Sequence, residues 1–186
     1  MKTKISFIKN FFKNRKEVGS IVPSSPYLAK EMVKKEDIEK SEVILEIWAW
    51  TGIFTEELLK HNIDWKKIII IEKNKEFYDI LRREFSNLII INDDILNLEQ
   101  ILKKHNIEKI DLIISGIPFR SLPDDVFHNF IKKLSIYIDK DSKFIQFSYF
   151  KDTKNKLELY FDSIFIKKVL LNIPFAYIFT CSNIKK

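Results

Sequence analysis

Residues Val43 to Gly52 read Val-Ile-Leu-Glu-Ile-Trp-Ala-Trp-Thr-Gly, and no other stretch narrows the possible folds as far. Apolar β-formers lead into a short turn and then into Ile53-Phe54-Thr55-Glu56-Glu57-Leu58-Leu59, the start of an amphipathic helix. Strand, tight turn and helix in that order place backbone N–H groups and the positive end of a helix dipole at a strand's carboxyl edge. Nucleotide-like cofactors bind at that edge in open α/β sheets. Gly52 suits the turn, because glycine reaches positive φ with no Cβ in the way. Trp48 and Trp50 do not suit it: an indole at either position projects into the space a cofactor needs.

At 186 residues the chain makes one domain, large enough to bury a core without staples. Its 46% hydrophobic and 31% charged content excludes a disordered polymer. The single cysteine, Cys181, excludes an internal disulfide and reads as a small buried hydrophobe of a late strand. No apolar run approaches the roughly 18 residues of a membrane span, and no signal-peptide core opens the chain. The net charge of +6 is concentrated: residues 1–18 hold six basic residues against Glu17 alone, leaving +1 for the remainder. The domain organisation expected is therefore a basic amphipathic helix over 1–18 and a single domain over 19–186. In that helix Ile5, Ile8, Phe11 and Phe12 recur at near-helical spacing, with Lys9 and Lys13 on another side. Such a helix either folds back onto the domain or lies on an anionic lipid surface with its Phe rings inserted.

Along the chain, Ser25-Pro26 fits N-cap and N1 of a helix through Met32. The spacing then predicts strands at Ile68–Ile71, Leu88–Ile91, Ile110–Ile114 and Lys143–Phe150, with helices over Lys75–Phe85, Asn97–His105, Asp124–Tyr137 and Lys154–Tyr160. Ser163–Leu171 and Ala176–Cys181, joined around Asn172-Ile173-Pro174, read as an antiparallel closing pair. Unbroken isoleucine runs such as Ile68–Ile71 fit strands covered on both faces. Glu72, 20 residues past Gly52 at the tip of the next strand, stands where such sheets bind ribose hydroxyls. Of Asp93 and Asp94, the first reads as solvated. His61 and His105 fall near helix ends, as capping or surface residues, and no His/Cys/Asp cluster has metal-ligand spacing.

Leu-Glu-Ile-Trp-Ala-Trp-Thr-Gly resembles the first motif of class I S-adenosylmethionine-dependent methyltransferases, Leu-Glu-Ile-Gly-x-Gly-x-Gly, with tryptophan at two glycine positions. Ser115-Gly116-Ile117-Pro118-Phe119-Arg120-Ser121-Leu122-Pro123 and Val18-Gly19-Ser20-Ile21-Val22-Pro23-Ser24-Ser25 are similar to loops of bacterial phospholipid N-methyltransferases. The resemblance covers nearly the whole chain. It implies a Rossmann-like α/β fold with a mostly parallel seven-stranded sheet, helices on both faces and an N-terminal amphipathic helix. It implies S-adenosylmethionine as cofactor, held by Glu46, Trp48, Ala49, Trp50, Thr51, Gly52, Glu72, Lys73, Asp94, Ile95 and Ser115, with Asp94 accepting from the adenine amino group. It implies a methyl-acceptor site at Ser115, Ile117, Pro118 and Phe119 with Tyr27 near its mouth, and no metal. Arg120 either pairs with a lipid phosphate or is an exposed surface residue.

The implied reaction is N-methylation of phosphatidylethanolamine by a monomer, peripheral on the cytoplasmic face of the inner membrane, with an anionic membrane as partner. Related ribosomal RNA adenine dimethylases carry Asn-Leu-Pro-Tyr or Asn-Ile-Pro-Tyr in the acceptor loop, where this chain has Gly116-Ile117-Pro118-Phe119. The missing Asn amide, and the absence of room for an RNA-binding helical domain, disfavour nucleic acid. Adenine methylation of RNA and a non-catalytic relative with a filled cofactor site stand as alternatives. Glycine is scarce, 3 residues against about 13 in an average chain of this length. Three origins fit the two tryptophans: UGA codons read as glycine in the organism's own code, a deliberate double substitution, or natural decay of the motif. UGG at codons 48 and 50 would end the first.

Overall fold

The computed structural model describes residues 24–61, 68–118 and 122–185. In chain order the elements are α1 (Pro26–Met32), α2 (Lys35–Ile38), β1 (Ile44–Ile47), α3 (Ile53–Leu58), β2 (Ile68–Ile71), α4 (Lys75–Glu84) and β3 (Ile89–Ile91). They continue as α5 (Leu98–Lys104), β4 (Leu112–Ser115), α6 (Asp124–Leu134), β5 (Lys143–Ser148), α7 (Thr153–Leu157), β6 (Phe161–Val169) and β7 (Ala176–Ile184). The seven strands form one sheet in the order β3-β2-β1-β4-β5-β7-β6. β1 to β5 run parallel, and β7 and β6 close the far edge antiparallel.

Alternate residues of the central strands go to opposite faces. Leu45, Ile47, Ile69, Ile71 and Ile113 join Phe127, Phe130 and Leu134 of α6 in one core layer. Ile44, Ile68, Ile70, Leu112 and Ile114 join Leu28 and Met32 of α1 and Phe54 and Leu58 of α3 in the other. Each buried isoleucine contributes roughly 1.5–3 kcal/mol, so strands of three or four residues hold once both faces are covered.

Several boundaries differ from the expected ones. α6 ends at Leu134 rather than Tyr137, because residues 135–138 turn so that the Tyr137 carbonyl can accept from Ile110 N–H at 2.7 Å. β5 ends at Ser148, whose hydroxyl accepts the Phe150 N–H at 3.1 Å and bends the chain away. α7 spans Thr153–Leu157, inside the expected Lys154–Tyr160 at its far end, and β4 is displaced to Leu112–Ser115. β6 is shifted two residues earlier, to Phe161–Val169, which leaves Leu170 and Leu171 in the turn, and β7 runs three residues further, to Ile184. The expected helix over 1–18, with Ile5, Ile8, Lys9, Phe11, Phe12 and Lys13, lies outside the described residues.

β1 and β4 are neighbours in space, with β2 on one side and β5 on the other. The chain therefore leaves β1 toward one side and β4 toward the other, which opens a crevice above their carboxyl ends. Three loops meet there: residues 48–52 after β1, 72–74 after β2 and 116–118 after β4. The loop after β3 lies alongside.

Candidate functional site

Glu46, in the middle of β1, is fully buried, and its Oε2 accepts from the Thr55 hydroxyl of α3 at 2.7 Å. Its Oε1 has no partner among the described residues. Burial, with the charge of Glu72 adding to it, pushes the Glu46 carboxyl up to about 8. Glu72 caps β2, also with no exposed surface. Its Oε1 accepts from Asn74 N–H at 2.8 Å and its Oε2 from Trp50 N–H at 3.0 Å. Burial outweighs those two bonds and lifts its pKa to about 7. Two carboxyl groups thus stand beneath the crevice, shielded from water, Glu46 mostly protonated near neutral pH and Glu72 divided between its two forms.

The turn above them is strained. Trp48 has φ 60°, Trp50 φ 54° and Gly52 φ 79°. Three left-handed residues alternate through five positions, a pattern that glycine satisfies freely and that costs any other residue roughly 1–2 kcal/mol. The two indoles stack with centroids 6.2 Å apart and planes 12° from parallel. Trp50 meets Phe77 of α4 edge-on at 5.3 Å, and its Nε1–H donates to the Gly116 carbonyl at 3.0 Å. The indole pair therefore spans the crevice from the β1 loop to the β4 loop.

Gly116 is locked from the same side. A Cβ there would stand inside 3.0 Å of the Trp48 carbonyl oxygen and 3.2 Å from the Trp50 ring. Ser115 is buried at the end of β4, between Ile47 and Gln146 in the sheet, and its hydroxyl faces Ile117 N–H at 3.4 Å. Ile117 is buried and Pro118 half-buried. Ala49 is buried and Thr51 half-buried, both within the turn.

After β3, Asp94 caps a short 3-10 turn by accepting Leu96 N–H at 2.9 Å, and Lys73 Nζ sits 2.7 Å from its other oxygen. Partial burial pulls its pKa upward, but the Leu96 amide and Lys73 hold it below the usual carboxylate range. Lys73 and Asp94 are thus brought together at the rim, with Ile95 buried behind them. Asp93, expected to be solvated, is half-buried instead and accepts from Asp94 N–H and from Asn97 Nδ2, both at 2.7 Å. Tyr27 is exposed on α1. Phe119 and Arg120 lie outside the described residues.

Sequence reasoning did not single out Gln146. This buried side chain near the end of β5 donates from Nε2 to the Ile117 carbonyl at 3.0 Å, while its Oε1 has no partner among the described residues. It thereby ties the acceptor loop to the sheet. The signal was one polar residue inside Phe144-Ile145-Gln146-Phe147, at a strand end beside the crevice. Asn74, which caps α4, and Phe77, which backs Trp50, were missed too; their roles are visible only once α4 is placed.

The strand-tip acids Glu72 and Asp94, the unpartnered Glu46 oxygen and the Gly52 turn fit a nucleoside-bearing cofactor. The two indoles do not, because they fill the space between those groups. Among the described residues no cluster of His, Cys, Asp or Glu could hold a metal ion. Cys181 is buried, and burial pushes its thiol up to about 12, which leaves it inert.

A profile of the family described as ribosomal RNA adenine dimethylase matches residues 2–150. The ornithine lipid N-methyltransferase of Singulisphaera acidiphila is 26% identical over 190 residues, covering 100% of this chain and 99% of its own. The ribosomal RNA small subunit methyltransferase A of Mycoplasma mycoides is 35% identical over 111 residues, covering 58% of this chain and 40% of its own. Among solved structures, an O-methyltransferase from Bacillus cereus in complex with SAH superposes with a TM-score of 0.66 at 11% identity, covering 98% of this chain and 91% of its own.

Proposed function

This chain belongs to the ribosomal RNA adenine dimethylase family, and from that premise we propose that its substrate is the amino headgroup of a membrane lipid. By family and fold it is an S-adenosylmethionine-dependent N-methyltransferase. The observation that carries the lipid reading is the extent of the likeness: it covers 100% of this chain for the lipid N-methyltransferase but 58% of it for the ribosomal RNA methyltransferase, of whose length the match spans 40%. Gly116 supports it. The RNA enzymes' acceptor loop begins with an asparagine, and the packing at 116 leaves no room for any Cβ.

Phosphatidylethanolamine and an ornithine lipid both offer a primary amine beside an anionic, lipid-anchored group, and we take that shared chemistry as the substrate class. The cofactor supplies a methyl group on a sulfonium, so the displacement needs no general acid at the leaving group. What the chain must do is align the amine and exclude water. Gln146 fixes the Ile117 carbonyl, and β4 delivers Ser115 and Gly116 to the crevice. With glycine at position 50, the Gly116 carbonyl loses its indole partner and can accept from the incoming amine. The protein works from the cytoplasmic face of the inner membrane as a monomer, with residues 1–18 attracted to anionic lipid. Among the described residues no helix is long and apolar enough to cross a membrane.

The stacked indoles favour a second reading, a non-catalytic lipid-binding relative with a filled cofactor site. Transfer of labelled methyl to phosphatidylethanolamine vesicles, ornithine-lipid vesicles and structured ribosomal RNA tests all three readings. It is run on the chain as it stands and on Trp48→Gly/Trp50→Gly. Label in lipid from the glycine form is the expected result. Label in RNA and none in lipid would sink the proposal, and vesicle binding without transfer by either form would favour the non-catalytic reading.

A further inference from the structure

The β6–β7 hairpin turns at residues 170–175, and its tip is built with its hydrocarbon outside. Ile173 is 82% exposed, Leu170 69% and Leu171 65%, with Phe175 also exposed. Asn172 between them is buried. Its Nδ2 donates to the Pro174 carbonyl at 2.7 Å, and its Oδ1 accepts from Ser25 N–H at 2.8 Å. The Tyr149 hydroxyl bonds it as well. The tip is thus stapled from within by its one polar side chain while four apolar ones face water, an arrangement that solvent alone does not reward.

Position gives the patch its meaning. Because β7 runs antiparallel to β5, with Tyr177 opposite Ser148, the tip lies at the carboxyl edge of the parallel strands, on the same edge as the crevice. Phe150 and Tyr27, both exposed, belong to the same edge. Ser25, at the start of α1, has its backbone N–H bonded to the tip through Asn172. Lys168 lies 4.1 Å over the Phe175 ring, and exposed Lys30 on α1 and Lys151 after β5 add positive charge nearby. Lys167 is neutralised by Glu31 at 2.6 Å, and Asp152 is an exposed acid in the same region.

We infer that the 170–175 tip inserts into the interfacial layer of an anionic phospholipid bilayer, holding the mouth of the crevice against the headgroups. The inference deepens the lipid reading and rests on it. Aliphatic side chains with Lys168 held against the Phe175 ring beside them suit that layer, where hydrocarbon meets acyl chains and cations meet phosphate. A bilayer also accounts for three strongly exposed aliphatic side chains, Leu170, Leu171 and Ile173, within four residues at the edge that must receive a lipid amine.

The test is sedimentation of the full chain with phosphatidylglycerol-containing vesicles. Leu171→Ser/Ile173→Ser is compared with Leu159→Ser, which alters a residue 67% exposed at the opposite edge, just before β6 begins. Both altered sites are exposed, so neither variant needs to repack a core. The tip variant should bind at least about tenfold more weakly, and Leu159→Ser should bind unchanged. A second readout uses Ile173→Cys carrying a polarity-sensitive fluorophore, specific because Cys181 is buried. Its emission should shift to the blue on vesicles, and that of Leu159→Cys should not. If the parent chain binds vesicles and the tip variant binds equally, with no shift at 173, the tip inference fails while the lipid reading stands. If the parent chain does not bind, both fail. If the parent is a dimer that the tip variant dissolves, and vesicle binding is unchanged, the patch is instead a contact between copies and the inference is overturned.

Discussion

The carboxyl edge of the sheet is built in opposite ways at its two ends. Over β1 and β2, two carboxyl groups are buried with no exposed surface; over β7 and β6, aliphatic side chains stand in water. Each end carries its groups in the medium that suits them least. Such inversions are costly, and they persist where a ligand completes the environment. A polar ligand would give the Glu46 Oε1 a partner and a further donor to Glu72, and an apolar one would cover Leu170, Leu171 and Ile173. On the proposed reading, the difference assigns a polar ligand to one end and an apolar one to the other. Both kinds meet in an enzyme that brings a nucleoside-bearing donor to a lipid.

The comparison breaks most readily at the indoles. Trp48→Gly/Trp50→Gly should convert a chain with no measurable S-adenosylmethionine binding into one with a Kd on the order of micromolar, about −8 kcal/mol, read by calorimetry. Equal binding by the unaltered chain would mean that the rings swing clear and the crevice is not blocked. In the glycine form, Glu72→Ala should weaken that binding roughly ten- to a hundredfold by removing a charge-assisted acceptor; an unchanged Kd would detach Glu72 from the ligand.

A titration of stability sharpens the polar side of the comparison. Both carboxyl pKa values are raised on folding, to about 8 and about 7, so the folded state holds the protons that the unfolded chain releases. That stability is whole below the unfolded value near 4.5 and is lost as pH rises through 7 and 8. The melting temperature should fall by roughly 5–10 °C between pH 5 and pH 9, and Glu46→Gln should flatten the fall. A parallel slope in the variant would remove Glu46 from the account. On the apolar side the effect is smaller. Asn172→Ala should lower the melting temperature by about 3–6 °C through loss of the internal staple. No change would mean that the tip holds its shape without it.

Much of the first end is legible in the sequence. The β1 strand and the place of Glu72 follow from hydrophobic runs and the acid that ends one of them, signals that are local, whereas Asp94 was singled out by the resemblance of its loop. The burial of Glu46 against Thr55 was not legible, because it depends on how α3 crosses the sheet. Gln146 was hidden for a similar reason: its partner, the Ile117 carbonyl, is 29 residues away in sequence. At the second end, the pairing of β6 with β7 could be read from alternation, but the exposure at its tip could not. Leu170, Leu171 and Ile173 look like core residues in a linear string. Only the inward turn of Asn172 shows that they point out.

The packing around Gly116 limits how chains of this shape can exchange substrates over time. An asparagine at 116, of the kind that holds a target base in the related RNA enzymes, cannot arrive by one codon change, because the backbone at residue 48 occupies the place of its first side-chain carbon. The loop after β1 would have to shift first, and that shift would disturb the turn on which the donor site depends. Lineages with this arrangement are therefore separated from base-modifying ones by a paired change whose intermediate is impaired. The substrate class would then be an inherited commitment, slower to drift than the sequence around it.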